Sequence, residues 1–217
     1  WNEGTKAWQN TPAWNTAEIY VAGSWRMKVS SGAWVSGRKY ELYIKGTDPS
    51  IPTANVGYSA TQRFWYDVDK PTAAVTSLAD GALLASLASI TGTAWDTSHS
   101  DPLGSSLDKA ELSIYNADTG QYFTGSGWGA MTPLAANLDG GTLNGAQNRW
   151  EHNWTITPST GWVNNYAYEI RWRAQDKATN QEAKSLNNPD TPRIRFIIDM
   201  QVPAAVATSP ANAGIYG

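Results

Sequence analysis

Tyr40-Glu41-Leu42-Tyr43-Ile44-Lys45-Gly46-Thr47-Asp48 and Tyr168-Glu169-Ile170-Arg171-Trp172-Arg173-Ala174-Gln175-Asp176 align without a gap. Tyr, Glu and Asp are identical, and most other positions keep their type. In the second stretch Tyr168, Ile170, Trp172 and Ala174 point one way and Glu169, Arg171, Arg173 and Gln175 the other, a period of two. That pattern reads as an antiparallel strand with one buried and one wet face. Its occurrence twice makes internal repetition the first thing to test.

The match continues on both sides. Upstream, Trp34 pairs with Trp162 and Trp25 with Trp154; downstream, Arg63-Phe64 and Asp67 pair with Arg195-Phe196 and Asp199. Pro71 and Thr76-Ser77 then pair with Pro203 and Thr208-Ser209, which sets a period of 132 residues from Pro71 to Pro203. Near the start, Trp1 to Gly4 followed by Trp8 corresponds to Phe123 to Gly125 followed by Trp128, and Thr11-Pro12 to Thr132-Pro133. Residues 1–68 therefore read as the rear part of one repeat, 69–199 as a complete repeat, and 200–217 as the first strand of a third. Residues 138–149 lengthen the second copy, and their Gly and Asn content reads as an exposed loop. Further strands are expected at Ala88–Ala94, Lys109–Tyr115, Trp150–Ile156 and Arg193–Asp199.

Composition agrees with an all-β chain. Of 217 residues, 41% are apolar, enough for ordinary cores, and only 16% are charged, while 19 Gly, 11 Pro and 12 Trp favour short strands and turns. The net charge of −3 removes the electrostatic basis of nucleic-acid binding. The absence of cysteine excludes disulfides and thiolate metal sites. No apolar run is long enough to span a bilayer, and the chain begins at Trp1, which points to processing or truncation. Tyr40 and Tyr168 open their strands after turn-rich sequence. An immunoglobulin-like sandwich often places there a Tyr whose hydroxyl ties back to upstream backbone.

These residues resemble the bacterial immunoglobulin-like (Big-type) tandem repeats of very large secreted and surface proteins. The resemblance spans the chain and rests on Ile90-Thr-Gly-Thr-Ala-Trp-Asp96, on Ile114-Tyr115 before Thr119-Gly-Gln-Tyr-Phe123, and on Trp128 and Trp154. It continues through Tyr168 to Asn180 and closes with Phe196-Ile-Ile-Asp199 and Pro203. It implies an extracellular or cell-surface setting and a structural or adhesive role, with neighbouring repeats or copies as partners. The Gly usual before the Asn of the closing turn is Thr179 here, and Asp48 is followed by a different loop.

Candidate sites are few. His99 and His152 are the only histidines, and no nucleophile-elbow or phosphate-loop pattern occurs, so a non-catalytic module is expected. In an immunoglobulin-like sandwich the B–C loop, the F–G loop and the incoming linker meet at one pole. Asp96 (with Asp101 beyond it), Asp176, Asp67 and Asp69 would converge there as hard oxygen ligands for Ca2+ at the joint between repeats. Each Asp would alternatively end its own strand through a local hydrogen bond. The Trp pairs kept in both copies read as packing anchors; Trp14, Trp65, Trp95 and Trp150 lack an aromatic counterpart. Trp150, beside the inserted loop, is the best candidate for contact with a ligand such as a surface glycan. The leading expectation is a stalk, adhesin body or filament; its rivals are a glycan-binding module with exposed Trp faces and an accessory domain of a surface hydrolase.

Overall fold

The alternation beginning at Tyr168 belongs to a ten-residue strand at the centre of the larger of two facing sheets. The computed structural model describes residues 1–206 apart from Pro12, Ala22, Ser31, 97–106, Asn148 and Thr160, and gives only the backbone of Tyr20. Asp101, His99 and the Thr208-Ser209 match lie outside the described residues. Those described form an all-β protein, with no helix long and apolar enough to cross a membrane.

Residues 1–68 carry three antiparallel strand pairs: β1 (Glu18–Val21) with β2 (Ser24–Arg26), β3 (Arg38–Leu42) with β6 (Gln62–Tyr66), and β4 (Lys45–Thr47) with β5 (Val56–Tyr58). The remaining strands are β7 (Thr72–Val75), β8 (Ala82–Leu84), β9 (Ile90–Trp95), β10 (Leu107–Asn116), β11 (Gln121–Phe123), β12 (Trp128–Gly129), β13 (Leu134–Ala135), β14 (Asn137–Leu138), β15 (Thr142–Asn144), β16 (Arg149–Ile156), β17 (Ala167–Asp176) and β18 (Ile194–Ile198). One sheet runs β12-β11-β10-β17-β18-β8, with β13 also on β10; the other runs β14-β16-β9-β7, with β15 also on β16. Every pairing is antiparallel except β8 on β18.

Between these sheets Leu112, Ile114, Tyr168, Ile170, Phe196 and Ile198 of the first meet Ala73, Ile90, Ala94 and Trp154 of the second in one buried cluster. The inward set is the one read from alternation. The other face of β17, expected to be wet, is not: Glu169 and Arg171 are buried, 4% and 3% exposed. The segment after β17 folds back over that face, and its Leu186 carbonyl accepts from Ser113 Oγ at 2.6 Å. Burial of the two charges is tolerated because they pair with each other and Arg195 Nε reaches Glu169 at 2.6 Å. The described part of 138–149 is largely exposed, as expected, but contains a strand. There β15 pairs with β16, Leu143 opposite Trp150, because Gly and Asn turn chemistry suits a hairpin as well as a loop.

The aromatic residues aligned in sequence adopt matching geometries. Tyr40 stacks on Phe64 at 5.6 Å and 27°, Tyr168 on Phe196 at 5.5 Å and 23°. Trp34 meets Tyr40 edge-on at 4.8 Å and 80°, Trp162 meets Tyr168 at 4.9 Å and 82°. Trp1 with Trp8 (5.8 Å, 61°) resembles Phe123 with Trp128 (5.7 Å, 57°). The hydroxyls of Tyr40 and Tyr168 accept from the Val35 and Val163 amides at 2.7 and 3.0 Å, as the tie-back reading expects. Gly37 and Asn165 both have positive φ, and their amides donate to Tyr66 and Ile198 carbonyls at 2.8 and 2.7 Å.

Burial distinguishes the two sets. Trp154 is 1% exposed whereas Trp25 is 45% exposed, and Trp8 is 50% exposed. Trp154 is covered by β9; among the described residues 1–68 carry no strand in that position. The expectation that both members of each Trp pair are packing anchors therefore fails for Trp25; Trp8, though half exposed, stacks on Tyr40 at 5.3 Å and 29° and its indole N–H donates to the Ala33 carbonyl at 2.9 Å.

Candidate metal centre

Three strand ends deliver carboxylates to one place. Asp67 follows β6 at the start of the linker, Asp96 follows β9, and Asp176 is the last residue of β17. One oxygen from each lies within 4.8 Å of the others, Asp96 and Asp176 are both 1% exposed, and Asp67 is half-buried. Oxygens sharing one Ca2+ at about 2.3–2.6 Å lie at most about 5 Å apart, so the spacing suits a single hard cation. Asp69, expected to join them, is not part of this group; its carboxylate accepts from Ser36 Oγ at 2.9 Å. Two residues along the linker, it is held on the Ser36 side.

Asn180 sets the position of Asp176 and fastens the linker to it. Its backbone N–H and side-chain amide donate to the two Asp176 oxygens at 2.8 and 2.9 Å, and the same amide donates to the Asp67 carbonyl at 3.1 Å. Asp67 Oδ1 accepts from Ser36 Oγ at 3.2 Å and from the Asp69 amide at 3.0 Å. Its Oδ2 is shielded from solvent and accepts no hydrogen bond. Ser36 and Asn180 escaped the sequence reading as joint residues. The Asp-x-x-x-Asn spacing of the turn was the available signal for Asn180.

Asp48 provides an internal comparison. Asn55 clamps it with the same two donors, backbone N–H and side-chain amide, both at 2.9 Å. In that exposed setting the hydrogen bonds hold the Asp48 carboxyl well below the usual range. Asp176, with an equivalent clamp, is shifted upward, first by burial and further by the negative charge of Asp67. The cluster thus concentrates negative charge beyond what its hydrogen bonds neutralise, a situation relieved by a proton or a cation.

Linker geometry recurs after β18. The Val68 amide donates to Ser36 Oγ at 3.0 Å, and the Met200 amide donates to Asn164 Oδ1 at 2.6 Å. Asp67 and Asp199 each accept from the amide two residues on, both at 3.0 Å.

Trp150 lies elsewhere. It lines a cavity of about 330 Å³ with Leu107, Leu138, Asp139, His152 and Lys177. Its indole N–H is buried without a partner, and His152 Nδ1 lies 3.1 Å from the Asp139 carbonyl. Of the other unmatched tryptophans, Trp95 is covered by the Arg149 guanidinium at 4.1 Å, and Trp14 is 56% exposed with Lys45 over its ring at 5.5 Å.

No protein-family model matches the sequence, and no curated protein matches it.

Proposed function

We propose that the chain is a stretch of tandem immunoglobulin-like repeats of a large extracellular bacterial protein, a non-catalytic module of a stalk, adhesin body or filament. The duplicated aromatic cluster carries this reading: sequence-matched rings recur with nearly the same distances and angles in 1–68 and 69–199. The repeated linker contacts of Ser36 with Val68 and Asn164 with Met200 support it, because they suit one joint used again. Residues 69–199 produced alone are expected to unfold cooperatively at the temperature of the matching transition in the whole chain. Failure to fold, or melting far below that transition, overturns the repeat reading.

Within this function Asp67, Asp96 and Asp176 bind Ca2+ and stiffen the joint. Support comes from their spacing, from the unbonded Asp67 Oδ2 and from the upward shift of Asp176. Melting with calcium and with chelator tests it; identical curves overturn the cation role.

A second reading, glycan binding, is favoured by the exposed face of Trp14 and by Trp150 in its cavity. A glycan array tests it: binding lost in Trp14→Ala supports this reading, and an array without binding overturns it.

A further inference from the structure

The segment that lengthens the second copy helps to build a cavity. Leu138 closes β14, Asp139 and Gly140 turn the chain toward β15, and Trp150 and His152 stand on β16. From the other sheet, Leu107 and Asp108 at the start of β10 and Lys177 after β17 complete the lining of about 330 Å³. In register with the Trp25–Trp154 match, the first copy has Val21 and Gly23 where the second has Trp150 and His152. The tryptophan and the histidine thus belong to the second copy and not to the repeat pattern.

The turn that walls the cavity is fixed by its own contacts. The Asp139 carboxylate accepts from the Gly141 amide at 2.9 Å, from the Asn153 amide at 3.0 Å and from the Asn153 side chain at 2.8 Å. Gly141, at φ of +70°, lies so close to the His152 imidazole that a Cβ there would stand 2.6 Å from the ring. A wall formed in advance lowers the ordering cost of binding. Three polar groups at the cavity are not used in this way. The Asp108 carboxylate and the Lys177 ammonium are exposed and have no hydrogen bond or ion pair among the described residues. The indole N–H of Trp150 is buried without an acceptor, which the packing of the sandwich does not explain.

We infer that this cavity binds one neutral sugar ring, the terminal residue of a glycan. The inference rests on the glycan reading above and gives it a site in the second copy. At about 330 Å³ the cavity lies at the small end of the range of about 300–1,000 Å³ for ligand pockets, room for one ring and not for a length of chain. Each sugar hydroxyl both donates and accepts, so one ring meets Asp108 as a donor and Lys177 as an acceptor. Trp150, Leu107 and Leu138 supply the apolar wall suited to its C–H face. An acidic sugar is disfavoured, because Asp108 and Asp139 outnumber Lys177 in the lining. A free amino acid would have to match the spacing of Asp108 and Lys177 with two fixed charges; hydroxyls carry no such condition.

Saturation-transfer NMR on the whole chain with glucose, galactose, mannose and N-acetylglucosamine, each at about 10 mM, suits the weak affinity of a single ring. At least one of them is expected to respond, and Trp14→Ala to leave the response unchanged. Asp108→Ala and Trp150→Leu are each expected to weaken binding by about tenfold, the scale of a hydrogen bond to a charged group. Asp108 has no side-chain bond to lose, so Asp108→Ala is expected to melt with the wild type and keeps the test open where Trp150→Leu fails to fold. Silence from all four sugars, a response only from glycine or glucuronate under the same conditions, or a response that Asp108→Ala leaves unchanged overturns the proposal. The glycan array separates this from the broader reading. Array binding that Trp14→Ala abolishes and Asp108→Ala retains removes the cavity and keeps the glycan reading, whereas an array without binding removes both.

Discussion

Trp154 occupies the space that a side chain at Gly92 would need. The two residues stand directly opposite each other in the β9–β16 ladder, and a methyl group on Gly92 would collide with the indole ring and with the Ala74 carbonyl oxygen. The indole N–H donates to the neighbouring Thr93 carbonyl at 3.1 Å, so the ring has little freedom to withdraw. Gly92→Ala is expected to destabilise the protein by about 3 kcal/mol, the upper range for overpacking. A denaturant midpoint within error of the wild type would refute this account of the glycine.

Thr179 adopts φ of +72° in the turn that closes on Asp176. A β-branched residue is disfavoured in that left-handed region, yet the amide still reaches the Asp176 carbonyl at 3.1 Å and the turn keeps its glycine-type shape. The turn thus closes with Thr179 in the left-handed region, and the strain remains. Thr179→Gly is expected to raise stability by about 1 kcal/mol, strain relief exceeding the added chain entropy. Thermal melting of the two proteins in the same buffer checks the sign.

Asp67→Asn separates the charge of the cluster from its hydrogen bonds. The remaining side-chain oxygen can keep the contacts with Ser36 and the Asp69 amide, while one of three crowded negative charges disappears. In chelator the variant is expected to be more stable than the wild type by about 1 kcal/mol, the scale of a like-charge contact at a partly solvated site. In calcium the order reverses. The wild type gains about 2–3 kcal/mol at a hundredfold excess over Kd, and the variant loses most of that response. Calorimetric melts with and without calcium decide; a variant that never differs from the wild type would leave the cluster without an electrostatic role.

Much of this arrangement was legible because strand periodicity fixes direction. Alternation from Tyr168 locates the inward residues, and the immunoglobulin-like topology expected of these strands puts the ends at Asp96 and Asp176 at one pole. Asp67 and Asp69 are indistinguishable by that logic: Ser36 Oγ bonds both carboxylates, and only Asp67 also brings an oxygen to Asp96 and Asp176. Glu169 and Arg171 read as solvent-facing because their cover comes from an aperiodic segment around Leu186. The exposure of Trp25 was hidden for a related reason: its match to Trp154 records the residue, whereas burial depends on the neighbouring β9, which has no counterpart among the described residues of 1–68.

Acid should act on the joint with a sign opposite to its action elsewhere. The carboxyl of Asp176 is raised above its ordinary value of 3.8 by burial and by Asp67, so the folded state binds its proton more tightly than the unfolded state does. Its contribution to stability is fully present below that ordinary value and is lost as pH rises through the raised one. Glu151, held down by its bond from Arg149, behaves in the opposite way: its contribution is present above the ordinary carboxylate range and is lost as pH falls through its lowered value. Most of the other shifted carboxylates, including Asp48, are lowered as well, so acid destabilises the protein as a whole. The joint is isolated by subtraction. In chelator the stability advantage of Asp67→Asn is expected to be largest at neutral pH and to shrink as acid protonates Asp176 in the wild type. In saturating calcium the wild type is the more stable at neutral pH, and acid removes that lead by displacing the cation. Urea midpoints for both proteins across this pH range, with calcium and with chelator, check both slopes; an advantage independent of pH in chelator would show that the Asp67 charge does not act on Asp176.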